Sequence, residues 1–174
     1  MRYENTPTGA AETPPEWPAQ SPISRRSGQF TLLMFAHPYC PCSRASIEEL
    51  NRLLVRCQRT VTPQVIFVRP PGVSDDWTKT PLRKSAAAIP GVEVRLDADG
   101  KEARLFGAES SGFVVLYSPE GRLLFSGGIT GARGHAGDNA GENAVVALLN
   151  RQEVQLHHTD VFGCTLLDTA SSTK

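Results

Sequence analysis

The sequence shows no excess of charge of either sign, since 18 Lys and Arg residues balance 18 Asp and Glu residues in 174. It has no long basic run, so it lacks the electrostatic footprint of a nucleic-acid-binding protein. Its longest apolar runs fall far short of the roughly 20 residues that a transmembrane helix needs. Four cysteines are too few for a disulfide-stapled scaffold but sufficient for a redox pair or a metal site. These absences leave a single globular domain with a core of its own.

The first 28 residues differ in composition from the rest of the chain. They contain five of the thirteen prolines and no apolar periodicity, and no hydrophobic stretch follows their charges as a signal peptide would require. We interpret residues 1–28 as a Pro-rich arm or linker, extended or disordered. A linker at the start of the chain indicates either an anchor or export signal upstream or a ragged cytoplasmic N-terminus.

Short apolar runs alternate with amphipathic stretches over residues 29–151, in the order β-α-β-α-β-α-β-β-α. We predict strands at 30–36, 64–68, 92–96, 113–117 and 122–125, and helices at 43–58, 74–88 with a break at Pro81, 99–107 and 142–150. The alternation predicts an α/β domain with a mainly parallel central sheet and helices on both faces, to which the turn at 118–121 adds a C-terminal antiparallel hairpin. Residues 152–174 form a tail, which we expect to pack partly on the domain through its apolar segment 161–167.

Cys40 and Cys42 lie where the first strand ends and the first helix begins. At a helix N-terminus, unpaired N–H groups and the positive end of the macrodipole favour a thiolate, which is the reactive form of cysteine. A disulfide between the two would close a small, strained ring around Pro41 and would be labile. We therefore predict thiol–disulfide chemistry at this Cys-Pro-Cys motif, with Cys40 attacking because the outer end of the motif is expected to be more exposed. Cys57 lies on the apolar stripe of the helix and is interpreted as a buried hydrophobe.

Cys164 lies beyond the last helix, in the apolar part of the tail. If this segment docks at the C-terminal edge of the sheet, Cys164 becomes a third thiol that resolves a disulfide at Cys40 and Cys42. A cysteine merely buried under the tail is the alternative. The same three thiols with His37 or His135 would also supply soft ligands for Zn²⁺ or Cu(I). His37 could instead bond the backbone, and His135 could be an ordinary surface histidine.

A buried strand that ends in a cysteine motif opening a helix resembles the thioredoxin superfamily. Residues 94–108 and 112–123 are similar to the TlpA and peroxiredoxin-like branch of the thiol–disulfide oxidoreductases. Four longer motifs are similar to bacterial RedB proteins, at 35–46, 127–130, 133–141 and 161–164. The resemblance covers about residues 29–166, and it implies a thioredoxin-like fold with protein thiols or disulfides as partners.

The sequence departs from that superfamily at two places. Thioredoxins carry Cys-x-x-Cys, whereas this chain has Cys-x-Cys, and Gly112 stands where thioredoxins place a cis-proline that shapes the substrate groove and keeps metals from the cysteine pair. Two functions follow: a thiol–disulfide redox protein that needs no cofactor, and a Zn²⁺ or Cu(I) binding or delivery protein. A redox-inert scaffold is the third hypothesis. Labile disulfide chemistry favours a periplasmic or membrane-tethered location outside the cytoplasm.

Overall fold

A computed structural model describes residues 12–57 and 60–167 of the chain. The predictions made for residues 1–11 and 168–174 lie outside the described residues. None of the helices in the described ranges is both long enough and apolar enough to cross a membrane.

The described residues form five β-strands and four α-helices in the predicted order. The elements are β1 (Phe30–Ala36), α1 (Ser43–Cys57), β2 (Val61–Arg69), α2 (Pro81–Ala87), β3 (Glu93–Ala98), α3 (Lys101–Leu105), β4 (Phe113–Tyr117), β5 (Leu123–Gly128) and α4 (Ala140–Leu149). The segment predicted as a helix over 74–88 divides into a 3-10 turn and α2, because Pro81 begins α2 and Thr80 caps it by accepting a hydrogen bond from the Arg83 N–H. The strand β5 runs to Gly128, beyond its predicted end, because glycines carry no strand signal of their own.

The sheet has the strand order β3-β2-β1-β4-β5. The strands β3, β2 and β1 are parallel, and the hairpin of β4 and β5 continues the sheet in antiparallel register. β1 is therefore the central strand, and all seven of its residues are buried. This burial on both faces explains why its sequence is apolar without alternation, as the α/β prediction requires. The predicted fold class is confirmed.

The two faces of the sheet are covered by different kinds of structure. One face packs against α1, α2 and α4 in a core that includes Leu32, Leu50 and Val145. The other face packs against α3, the described part of the arm and the tail, in a second core with Phe35 at its centre. The arm contributes Trp17, whose ring centroid lies 5.1 Å from those of Phe106 and Tyr117, and the tail contributes Leu166. The arm and the tail, together with α3, thus cover the second face of the sheet.

Candidate functional site

The Cys-Pro-Cys motif lies at the C-terminal end of the central strand and at the start of α1. The Ser43 N–H donates to the Cys40 carbonyl at 3.1 Å, and the Arg44 N–H donates to the Pro41 carbonyl at 3.4 Å. These bonds form the turn that leads into the helix. Cys40 therefore precedes the first helical residue, where free N–H groups favour a negative charge.

The tail brings Cys164 to this motif. The sulfur atoms of Cys40 and Cys164 lie 2.8 Å apart, and both cysteines are free thiols in this structure. The tail is held there by its backbone, because the Ser111 N–H donates to the Cys164 carbonyl at 2.7 Å and the Leu166 N–H donates to the Glu109 carbonyl at 2.8 Å. A disulfide bond is about 2.05 Å long, so the two sulfurs would bond after a shift of less than about 1 Å.

The two close thiols, Cys40 and Cys164, have pKa values that are shifted in opposite directions. Burial raises the pKa of Cys40, but hydrogen bonds to the side chains of Cys164 and Ser43 outweigh burial and lower that pKa to about 7. Burial and, after it, the neighbouring Cys40 raise the pKa of Cys164 to about 12. Cys40 is therefore the thiolate of the pair near neutral pH, and Cys164 is the thiol that donates to it.

The exposure predicted for Cys40 is wrong. Its side chain is only 2% exposed, whereas Cys42 is half-buried. The expectation rested on the order of the two residues along the chain. The tail, which lies more than one hundred residues further on, covers Cys40 and reverses that order. The same covering segment lowers the pKa of Cys40 through Cys164, and Ser43 at the start of α1 adds to that effect.

Cys42 occupies a different electrostatic environment. Burial raises its pKa, the adjacent Cys40 raises it further, and the hydrogen-bonded guanidinium of Arg133 lowers it without reversing the shift. Arg133 is exposed, in the loop between β5 and α4. Cys42 thus stays protonated beside Cys40 near neutral pH.

Hydrogen bonds among hydroxyl and backbone groups join the cysteine motif to residues 111 and 112, which precede β4. The Ser43 and Ser111 hydroxyls hydrogen-bond to each other, and Ser111 Oγ also accepts the His37 N–H at 2.7 Å. Gly112 follows with a φ of +93°, and its N–H donates to the Phe35 carbonyl at 2.8 Å. A Cβ at this glycine would lie 2.7 Å from the Ser46 hydroxyl, so helix α1 approaches the backbone closely here. None of the described residues has a cis peptide bond.

The two histidines considered as metal ligands have other surroundings. His37 Nδ1 accepts the Tyr39 N–H at 3.1 Å, and its ring centroid lies 5.4 Å from that of Trp77 in an edge-to-face contact. His135 is exposed in the loop that also carries Arg133. Within residues 12–57 and 60–167 there is no group of three or more Cys, His, Asp or Glu side chains arranged to hold a metal ion. The three thiols are near one another, but the predicted ligand set is not assembled.

A buried carboxyl pair between α1 and α4 was missed by the sequence analysis. Glu49 is fully buried, and its Oε1 accepts the Gly137 N–H at 2.7 Å and a hydrogen bond from Arg52 at 3.0 Å. Burial raises the pKa of Glu142, and the bonded carboxyl of Glu49 raises it further, to about 7. A detectable signal was the spacing of Glu49, which lies four residues from both Ala45 and Leu53 on the buried side of α1.

Cys57 lies far from this chemistry, in the core beneath α1. It is 6% exposed and packs among the apolar residues of the first core. Burial raises its pKa above the ordinary value. It provides an internal reference for a cysteine that is not activated.

Neither a protein-family model nor a curated relative matches the sequence. Solved structures are similar to it. An uncharacterized conserved protein from Geobacillus kaustophilus is 17% identical with a TM-score of 0.65, over 84% of this chain and 80% of its own. A secreted Mycobacterium tuberculosis disulfide oxidoreductase is 17% identical with a TM-score of 0.51, over 72% and 83%. An exposed lipoprotein thioredoxin from Streptococcus pneumoniae is 18% identical with a TM-score of 0.50, over 72% and 86%. At these identities the similarity concerns the fold, and the fold of this chain is thioredoxin-like.

Proposed function

We propose that the protein carries out thiol–disulfide exchange, with Cys40 as the attacking thiolate and Cys164 as the thiol that closes a disulfide with it. The observation that carries this proposal is the 2.8 Å distance between the two sulfurs. The pKa of Cys40, lowered to about 7, supports it because the thiolate is the nucleophile in such exchange. The similarity of the fold to disulfide oxidoreductases agrees with this chemistry.

The exchange needs no group beyond the thiols and a partner disulfide. The Cys40 thiolate attacks one partner sulfur, the partner S–S bond breaks, and the other partner sulfur leaves as a thiolate. Cys164 then loses its proton and attacks the Cys40 sulfur of the mixed disulfide, and the second partner sulfur leaves. The partner gains two electrons and, with one proton from Cys164 and one from water, becomes a dithiol, while Cys40 and Cys164 become a disulfide. The reverse sequence oxidises a partner dithiol by the same steps.

Cys42 is the second candidate for the closing step. It lies on the same turn as Cys40, but a disulfide between them closes a strained ring around Pro41. Cys164 reaches the same sulfur from a distant part of the chain and forms no such ring. We therefore assign the stable intramolecular disulfide to Cys40 and Cys164, and we assign to Cys42 the strained and more oxidising alternative.

The test is to oxidise the purified chain with one equivalent of a small disulfide, quench with acid and map the bond by mass spectrometry. We expect a disulfide between Cys40 and Cys164 in the wild type and in Cys42→Ser, and none in Cys40→Ser. Cys57→Ser is the matched control and should behave as wild type. A chain in which only Cys40 and Cys42 pair would overturn the assignment of Cys164, and a chain that forms no intramolecular disulfide would overturn the function.

The same preparation tests the metal-binding alternative. Elemental analysis after purification without chelator should show no stoichiometric Zn or Cu under the redox proposal. One equivalent of either metal that is lost in Cys40→Ser and in Cys164→Ser would replace the redox function with metal binding or delivery.

We also propose that the protein works outside the cytoplasm, in keeping with the RedB-like motifs and the labile thiol chemistry. One structure with a similar fold is described as secreted and another as an exposed lipoprotein. Fractionation of native cells, followed by detection of the chain with an antibody, tests the location. Recovery in the cytoplasmic fraction alone would reject it.

A further inference from the structure

The two sulfurs that close the proposed disulfide differ in their access to solvent. Cys40 is 2% exposed, whereas Cys164 is half-buried and is followed by the exposed Thr165. The sulfur of Cys40 is hydrogen-bonded to Ser43 and Cys42 as well as to Cys164, so protein groups occupy several sides of it. With the tail docked, a thiol that arrives from solvent therefore reaches the sulfur of Cys164 more readily than that of Cys40.

This difference has more effect on the oxidised chain than on the reduced one. A thiolate attacks through any of its lone pairs, so Cys40 needs only a narrow opening when it acts as the nucleophile. A disulfide sulfur is attacked along the line of its S–S bond, from the side opposite its bonded partner. Burial among Ser43 and Cys42 therefore hinders attack on Cys40 more than attack by Cys40.

The stability of the leaving thiolate also differs between the two sulfurs. Attack at Cys164 expels Cys40, which keeps the hydrogen bond from the fully buried Ser43 after Cys164 has bonded to the attacking sulfur. Attack at Cys40 expels Cys164, whose pKa is raised by burial and lowered by the charge of Arg133 without reversal of the shift. Because the thiol with the lower pKa leaves faster, access and leaving group favour attack at the same sulfur.

We propose that the thiol that re-reduces the oxidised chain attacks Cys164 and expels Cys40, so that the electron donor and the partner disulfide meet different sulfurs. The step rests on the proposed function, because Cys40 and Cys164 must first have closed their disulfide. In the proposed exchange the partner disulfide is attacked by Cys40. The donor is instead bonded for a moment to Cys164, and the tail stays docked throughout.

An exposed cation lies near the sulfur that the donor attacks. The charge of Arg133 lowers the pKa of Cys164, and its guanidinium is hydrogen-bonded to the neighbouring Cys42, whereas the pKa of Cys40 is lowered by Cys164 and Ser43. The attacking thiolate brings a negative charge, which the three exchanging sulfurs share, so Arg133 favours its approach to Cys164. We therefore expect a donor that carries a further negative charge close to its thiol.

The electrons balance when the donor is a dithiol. Its first thiolate bonds to the Cys164 sulfur, the Cys40–Cys164 bond breaks, and Cys40 leaves as a thiolate. The second donor thiol loses its proton and attacks the first donor sulfur, the mixed disulfide breaks, and Cys164 leaves. The donor becomes a disulfide and loses two electrons, which the chain gains. Of the two donor protons, one is taken up by Cys164 and the other remains in water.

The experiment uses the full chain with Cys42→Ser, which removes the third thiol of the site, oxidised to the Cys40–Cys164 disulfide. Excess 2-mercaptoethanesulfonate starts the reduction, acid stops it at early times, and mass spectrometry locates the mixed disulfide. We expect it on Cys164 at least about tenfold more often than on Cys40. A mixed disulfide mainly on Cys40 would overturn the inference. A chain that forms no Cys40–Cys164 disulfide would contradict the proposed function instead.

The rate of reduction tests the leaving group in the same background. Ser43→Ala removes the donor to the departing Cys40 thiolate and should slow the reduction about threefold. Ser46→Ala is the matched control, because Ser46 is also a buried serine of α1, and it should leave the rate unchanged. Equal rates for the two variants would show that Cys40 is not the leaving thiolate.

A second pair of variants tests the charge of the donor. Arg133→Ala should slow reduction by 2-mercaptoethanesulfonate about threefold, and should slow the neutral 2-mercaptoethanol less, when rates are compared per thiolate. Arg44→Ala, at an exposed position beside the motif, is the control and should slow neither. If Arg133→Ala affected both thiols equally, the preference for an anionic donor would be wrong.

Discussion

Two segments without regular secondary structure reach the Cys-Pro-Cys motif, and each serves a different cysteine. The tail brings a thiol to Cys40. The loop between β5 and α4 brings the guanidinium of Arg133 to Cys42. The first contact, together with the hydrogen bonds from Ser43, lowers the pKa of its cysteine below the ordinary value, while the second reduces a shift that remains upward. Arg133 is exposed, and solvent screens its charge, which limits the effect of this cation on the pKa of Cys42.

The two segments are also anchored by different forces. The tail is held by the buried side chain of Leu166 and by backbone hydrogen bonds to residues 109–111. Neither the apolar contact nor the backbone hydrogen bonds depend on pH. The loop is held by the Gly137 N–H, which donates to the buried side chain of Glu49 beside Glu142. The environment of Cys40 is therefore set by packing, whereas that of Cys42 is linked through the loop to Glu142, a carboxyl with a raised pKa.

The largest effect is expected from Gly163→Ala, which weakens the contact between the tail and residues 109–111. A Cβ here overlaps the Ser111 carbonyl oxygen, so the tail must move or undock. Overpacking of this kind costs about 1–3 kcal/mol. At alkaline pH, where Cys40 is a thiolate with or without the Cys164 donor, alkylation of Cys40 should become faster as its cover is lost. Gly131→Ala is the matched control in the loop, because Gly131, like Gly163, has no left-handed φ, and the nearest atom to an added Cβ lies at an ordinary contact distance of 3.8 Å. Denaturant unfolding and alkylation rates measure both variants, and equal behaviour of the two would contradict the tail contact.

The next effect concerns the thiol itself. Cys164→Ala removes a donor to the Cys40 thiolate, and a hydrogen bond to a charged group is worth about 1.5–3 kcal/mol. The pKa of Cys40 should therefore rise by about one to two units, since one unit corresponds to about 1.4 kcal/mol. The pH dependence of the alkylation rate measures this pKa separately from any change in exposure.

Cys164→Ser keeps a hydroxyl donor and should leave the Cys40 pKa between those of the wild type and the alanine variant. Cys57→Ala is a control that should change nothing at Cys40. An apparent Cys40 pKa that is the same in Cys164→Ala and in the wild type would show that the tail only covers the thiol and does not activate it.

A smaller effect is expected at the anchor of the loop. The pKa of Glu142 is raised to about 7 from an ordinary value of 4.5, so the protonated carboxyl stabilises the fold. That contribution is complete below about pH 4.5 and is lost as the pH rises through 7. The variant Glu142→Gln stays neutral, so above pH 7 its free energy of unfolding should exceed that of the wild type by roughly 1–2 kcal/mol.

Denaturant unfolding at pH 5 and pH 8 measures this difference. Glu48→Gln, at an exposed position of α1 next to Glu49, is the matched control and should show no such dependence. If the advantage of Glu142→Gln were the same at both pH values, the raised pKa of Glu142 would be ruled out.

The order of elements and the place of the motif followed from patterns that are local in the chain. The apolar run at 30–36 predicted the buried central strand, and the helix was predicted to begin at Ser43, where α1 begins. The packing of Leu166 likewise followed from apolar residues in a tail that has no other use for them. Such features are determined by residues that are close together in the sequence, so they can be predicted without a structure.

The exposure of Cys40 and the partner of Glu49 could not be predicted in this way. Each depends on a residue about one hundred positions away that approaches in three dimensions. The spacing of Glu49 places it on the buried side of α1, but it does not identify Glu142 of α4 as the neighbouring carboxyl. A buried charge is identified by its partner, and the partner is visible only after the chain has folded.

The smallest effect is expected for Arg133→Ala. The guanidinium lowers the pKa of Cys42 against burial and the Cys40 charge, so its removal should raise that pKa further, by less than about one unit because the arginine is exposed. Alkylation of Cys42 against pH, followed by mass spectrometry, measures the shift. Arg44→Ala, at an exposed position beside the motif, is the matched control.

Salt sharpens the test of Arg133. If the arginine acts through its charge, raising the ionic strength should move the Cys42 pKa of the wild type towards that of Arg133→Ala, because surface charges are screened over about 8–10 Å at ordinary salt. The Cys40 pKa should respond little, since its main donors, Cys164 and Ser43, are neutral. Equal salt responses of the two cysteines would remove the distinction between a thiol set by packing and a thiol set by a surface cation.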